Sequence, residues 1–200
     1  MMADPVVYLS VANKAVQAVS DLLTVPVSGI YEKSRPLMQT GDCILWKSRS
    51  AIGWLIRMFS RGEFNHAGLV VRPDDVGCFS GRRFTLEALG SGIVLRLLSE
   101  RLRNFKGEAW LYPLREGFNA FRPKILDWAM AQEGTPYDYD SLFKQMFGKV
   151  SVDMKEYFCS EFVYAAWLNA GMAVHEKKAP RPGDIPAMDL FNDPVLIHKG

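Results

Sequence analysis

The sequence predicts an α+β domain, and three observations carry that prediction. Short apolar runs separated by turn formers occupy residues 41–114, helical periodicity dominates the second half, and Cys159 stands at the first turn of the most apolar helical stretch. The chain has 200 residues, of which 48% are hydrophobic and 12% aromatic, enough to close one core but cramped for two.

Asp4-Pro5 reads as a helix start, with Asp as N-cap and Pro at the first helical position, where its missing N–H costs nothing. Leu9, Ala12, Val16, Val19 and Leu23 then form a one-sided stripe, expected to pack on the domain, with a membrane surface or a partner as the alternative. Pro26 and Gly29 end this helix, and a connecting loop is expected to about Gln39. Gly41-Asp42 introduces a strand at Cys43-Ile44-Leu45-Trp46, and Ser48 or Ser50 caps a helix reaching Phe59. Strands follow at Asn65 to Val71, Arg83 to Leu89, Ile93 to Leu97 and Glu108 to Leu114, with a polar turn of helix before the last. Asn119 is placed as the cap of a helix carrying Phe121, Ile125, Trp128 and Ala129 and stopped at Gly134. A short helix over Ser141–Phe147 and the Cys159 helix running to Gly171 complete the reading.

Charge and cysteine usage exclude several functions. Twenty-four basic against 22 acidic residues give a net charge of +2 with no long run of one sign, so no nucleic-acid partner is expected. The three cysteines at 43, 78 and 159 show no CxxC and no zinc-type spacing, so neither a disulfide framework nor a metal site is expected. Met1-Met2-Ala3-Asp4-Pro5 lacks a basic signal-peptide region, and no uncharged apolar run reaches 18 residues. A cytoplasmic protein without a transmembrane segment is therefore expected, with signal-independent export and peripheral membrane contact left open.

The chemistry gathers on Cys159. The helix dipole and the unpaired N–H groups of a first turn stabilise a thiolate, and the Cys159 N–H is a natural oxyanion donor. If the strands around His66 and Glu87 form a hairpin pairing 71 with 82, then 66 lies opposite 87, with Cβ atoms roughly 5 Å apart. A carboxylate then holds an imidazole beside a nucleophile, the parts of a thiol hydrolase. Asp74 or a backbone carbonyl is the alternative partner for the histidine. In a papain-like fold the cysteine helix comes first and the histidine strand later; here the order is reversed, so as such a fold the chain would have to be a circular permutation.

The segments Gly41-Asp42, Asn65-His66-Ala67-Gly68, Leu86-Glu87-Ala88, Gly134-Thr135-Pro136-Tyr137-Asp138 and Tyr157 to Val163 occur in an order that resembles the permuted NlpC-type papain-like cysteine enzymes of the YiiX/YebB-like branch. The resemblance covers about residues 38–170. It implies a small antiparallel sheet or partial barrel packed against the helix carrying Cys159. Residues 1–36 are then an N-terminal helix and connecting loop, and 37–200 a catalytic domain. It further implies Cys159 as nucleophile, His66 as general base, Glu87 as its orienting partner and Tyr137 near the oxyanion. The implied activity is cysteine-dependent hydrolysis of an amide bond, in cell-wall peptides among relatives, through an acyl-enzyme and without a cofactor. A thiol acyltransferase or lipid-modifying enzyme is one alternative, with a small peptide or lipid-like acyl group as substrate. A non-catalytic interaction protein retaining the fold is another.

Each residue also has a plainer reading. Cys159 alone fits a small buried hydrophobe, although Ser160-Glu161 argue for a partly polar turn. His66 alone fits a structural strand histidine, Glu87 a solvent-facing one, and Tyr137 a packing aromatic. Asp42 is expected to close the turn before its strand, Cys43 to lie in the core, Cys78 in an exposed loop, and His175 and His198 at the surface.

Overall fold

Six short segments of alternating or continuous apolar character pair into one antiparallel sheet. The computed structural model describes residues 29–48, 63–73, 81–89, 92–135, 158–174 and 180–200. The strands are β1 (Cys43–Ser48), β2 (His66–Val71), β3 (Phe84–Leu89), β4 (Gly92–Leu97), β5 (Gly107–Tyr112) and β6 (Val195–Lys199), in the order β4-β3-β2-β1-β5-β6. Five match expected strands to within a few residues. β6 was not anticipated, because Pro194 and a polar chain end mask its apolar Val195, Leu196 and Ile197 until β5 supplies a partner. His198 accordingly is not at the surface. It is 7% exposed, and its Nε2 lies 2.9 Å from the carbonyl of Phe105.

Because side chains alternate along a strand, each face of the sheet collects its own layer. Cys43, Leu45, Ala67, Leu69, Leu86 and Ala88 point to one face. There they meet α4 (Phe158–Asn169), whose Phe162, Val163, Ala166 and Trp167 are buried against them. The Trp167 indole N–H donates to the carbonyl of Gly41 at 3.0 Å, tying the far half of the helix to the turn before β1. On the other face Ile44, Trp46 and Val70 meet α2 (Leu98–Arg103) through Leu98 and Leu102.

Two helical boundaries differ from expectation. Residues read as a loop include α1 (Gly29–Ser34), which packs against β6 and buries Tyr31 in the second layer. Asn119 does not cap the next helix. It lies in a 3-10 segment, Glu116–Phe121, and its side-chain oxygen accepts from the Arg122 guanidinium at 2.8 Å. The helix proper, α3 (Arg122–Met130), starts beside Pro123, whose fixed φ suits a first turn. It ends at Met130, and Gly134 at φ 74° closes the following turn rather than the helix. The expected helices at 4–23, 48–59 and 141–147 fall wholly or mainly outside the described residues, and Ser48 itself belongs to β1.

Asp42 fastens these parts together. Its carboxylate accepts from the backbone N–H of Gln39 at 2.9 Å and of Leu114 at 3.0 Å, and pairs with Arg122 at 2.8 Å. The start of β1, the segment after β5 and the start of α3 thus share one buried carboxylate, which fulfils the turn-closing role read from the sequence. Cys43, beside it, is fully buried as expected.

Candidate active site

His66 opens β2, and Glu87 lies four residues into β3. Their pairing differs from the expected register. The ladder runs Val71↔Phe84, Val70↔Thr85 and Leu69↔Leu86, two residues on from a hairpin pairing 71 with 82. A turn of unknown length between two strands leaves that offset undetermined by sequence. A shift of two preserves the side-chain alternation, so His66 and Glu87 still share a face, now as diagonal neighbours.

Continuing the ladder sets Glu87 opposite Gly68, and that glycine is what makes the diagonal usable. A Cβ at position 68 would sit 3.1 Å from Glu87 Cγ and 2.5 Å from Thr85 Oγ1. With hydrogen there instead, the Glu87 side chain crosses the space and its Oε2 reaches His66 Nε2 at 2.6 Å. The short separation between a ring nitrogen and a carboxylate oxygen marks a charge-assisted bond.

With Nε2 committed to Glu87, Nδ1 is the ring nitrogen left for the thiol. Cys159 is the ring's second partner, acting on it both as a charge and through a side-chain hydrogen bond. Burial disfavours the imidazolium, but Cys159 and Glu87 outweigh it and push the His66 pKa up to about 10. Burial also opposes the Glu87 charge. His66 and Arg101 overcome it and hold the carboxyl below its ordinary value. Side-chain exposure is 18% at His66 and 0% at Glu87, so the carboxylate is sealed while the ring keeps an edge toward solvent.

Arg101 is the residue that sequence reasoning missed. Its Nε lies 3.2 Å and 3.4 Å from the two Glu87 oxygens, while its guanidinium stacks on Trp46 at 4.4 Å and Phe105 at 5.2 Å from the ring centroids. In the sequence it stands in Ser99-Glu100-Arg101-Leu102-Arg103, with nothing local to separate it from Arg103. The face of α2 and its packing on Trp46 provide the distinction.

The helix bearing Cys159 is more buried at its start than Ser160-Glu161 suggested. Cys159 is 8% exposed, Ser160 0% and Glu161 7%. Burial pushes the Glu161 carboxyl up to about 7. Tyr137, Asp74, Cys78 and His175 lie outside the described residues. Among the described residues no group of three or more His, Cys, Asp or Glu side chains is arranged to hold a metal ion, and no helix is long and apolar enough to cross a membrane.

The sequence profile of a family described as permuted papain-like amidase enzymes, YaeF/YiiX, C92, matches residues 37–187. Among solved structures, the chain resembles the crystal structure of YiiX from Escherichia coli O157:H7, which is described as a metalloprotein. The two share 25% identity over 69% of each chain, with a TM-score of 0.51. No curated protein matches the chain.

Proposed function

The chain belongs to the permuted papain-like amidase family, and from that premise we propose that it is a cysteine hydrolase of amide bonds using Cys159, His66 and Glu87. The observation that carries this reading is the 2.6 Å bond between Glu87 and His66 Nε2, which leaves the other ring nitrogen for the Cys159 thiol.

The proposed resting state is a Cys159 thiolate beside a His66 imidazolium. The sulfur attacks the amide carbonyl carbon and an S–C bond forms, with the oxyanion facing the N–H groups of the first turn of α4. The C–N bond then breaks and the His66 proton passes to the leaving amine. Acylation removes the thiolate charge, the larger of the two influences that hold this proton against burial, so His66 releases it when the amine needs it. The neutral ring next takes a proton from water, the hydroxide attacks the thioester, and the thiolate and a carboxylic acid are regenerated. Glu87 stays ionised throughout, fixing the ring orientation and compensating its charge.

The proposed substrate is an amide bond in a cell-wall peptide, the class implied by the resemblance to NlpC-type enzymes. Incubating the full chain with peptidoglycan-derived peptides and with acyl-lipid probes, and reading the mass added to Cys159, tests it. A peptidyl adduct that disappears in Cys159→Ser supports the reading, whereas a fatty-acyl adduct alone points to acyl transfer from lipid. Undiminished peptide hydrolysis by Cys159→Ala overturns it.

A further inference from the structure

We infer that Arg101 is a positioning residue of the active site, the fourth charge of a closed set with Cys159, His66 and Glu87, and that it sustains the thiolate by acting through Glu87. The inference rests on the proposed roles of those three residues and adds to them a group on a different element. Glu87 is completely buried and its two oxygens meet two cations, His66 at 2.6 Å and Arg101 at 3.2 Å. Arg101 in turn is fixed from behind, its planar guanidinium lying over Trp46 and Phe105, a geometry that an ammonium does not reproduce.

Counting charges shows what the arginine contributes. The thiolate and Glu87 carry two negative charges, and the imidazolium and Arg101 two positive ones. Deleting the Arg101 charge leaves a buried set with one excess negative charge, and the set relieves it by taking up a proton. Protonation of the thiolate extinguishes the nucleophile; protonation of Glu87 ends its ability to compensate the imidazolium, which weakens the thiolate in turn. Either route raises the pH at which Cys159 becomes reactive. Among the described residues, the titratable and charged groups that act on His66 and Glu87 are the other members of the set, and Cys43 senses Cys159 from β1.

The side of the sheet supports a role beyond holding the fold. The layer around α2 is apolar through Leu98 and Leu102, and Arg101 is the α2 side chain that reaches across it to the catalytic carboxylate. Its own exposure is 21%, so its charge is only partly screened.

The test is the pH dependence of Cys159 alkylation by iodoacetamide, in which the thiolate sulfur displaces iodide, followed by peptide mass spectrometry. Cys43, fully buried, serves as an internal report on folding. In the wild type, Cys159 is expected to react with iodoacetamide at pH 6 much faster than Cys43. In Arg101→Met the midpoint is expected to rise by roughly one pH unit or more, with about tenfold slower reaction at pH 6, and Arg101→Lys is expected to return part of the shift. In a Glu87→Gln background, Arg101→Met is expected to add less than about twofold, because its partner is already neutral. An Arg101→Met profile superimposed on the wild type overturns the inference, as does an equal slowing with and without the Glu87 charge. If Arg101→Met makes Cys43 reactive, Arg101→Gln replaces it, with the same upward shift expected and a wild-type profile decisive against. A wild-type Cys159 no faster than Cys43 overturns the triad reading and this inference together.

Discussion

Glu87 with Arg101 and Asp42 with Arg122 are two buried carboxylate–guanidinium pairs in one chain, and they have opposite electrostatic outcomes. At Asp42 burial outweighs the arginine and two backbone amides, and the carboxyl is held above its ordinary range. At Glu87 burial is outweighed by His66 and Arg101, and the carboxyl lies below that range. The difference is in the second partner. Asp42 spends its remaining capacity on backbone N–H groups of Gln39 and Leu114, which fasten three chain segments. Glu87 spends it on an imidazole that must carry a charge. Burial and an arginine therefore do not decide a carboxylate's charge; the second partner does.

The largest expected effect is at the thiol. Cys159→Ala and His66→Ala should each lower kcat for amide hydrolysis by about 10⁴-fold or more while thermal melts remain cooperative. Glu87→Gln comes next, at roughly 10²- to 10⁴-fold, because a neutral amide neither compensates the imidazolium nor specifies one ring orientation. Asp42→Asn is the counterpart that separates the two pairs. It should cost about 3–5 kcal/mol of stability in denaturant titrations, leaving Arg122 buried without its charge partner, yet spare activity per folded molecule. Equal losses of kcat in both carboxamide variants would erase the distinction.

Gly68→Ala sharpens it from the side of geometry. The added methyl meets Thr85 and Glu87, so a stability loss of about 1–3 kcal/mol should accompany a fall in kcat larger than that loss of folded protein explains. The smallest effect is at Glu161, whose carboxyl is raised to about 7 by burial. A carboxyl raised on folding contributes stability that is complete below its unfolded pKa and is lost as pH rises through about 7. Glu161→Gln should therefore raise Tm at pH 8 by a few degrees and leave it nearly unchanged at pH 4.

Much of this arrangement was legible in the sequence because it is local. Five strands announced themselves by apolar runs between turn formers, and Cys159 by its place at the start of an apolar helix. His66 and Glu87 were placed on a common face because alternation survives an even slip, even though the register itself was two residues out. What stayed illegible is long-range. Arg101 is distinguished from Arg103 only by what lies beneath it, β6 is a strand only because β5 pairs with it, and His198 is buried only because it lies on that strand. Gly68 gave no turn signal either, since its purpose is to leave room for a side chain on a neighbouring strand.

The central claim is that His66 holds its proton because a thiolate and a carboxylate both face it. An NMR titration of the ring resonances tests this directly, and the chain has only three histidines to assign. The account predicts that His66 stays protonated through neutral pH and loses its proton near pH 10, and that Cys159→Ala moves this transition down by removing the thiolate charge. The stability contributed by protonation of His66 should correspondingly be complete below about pH 6.5 and be lost as pH rises through about 10. A wild-type His66 that titrates near 6.5, unmoved by Cys159→Ala, would contradict it.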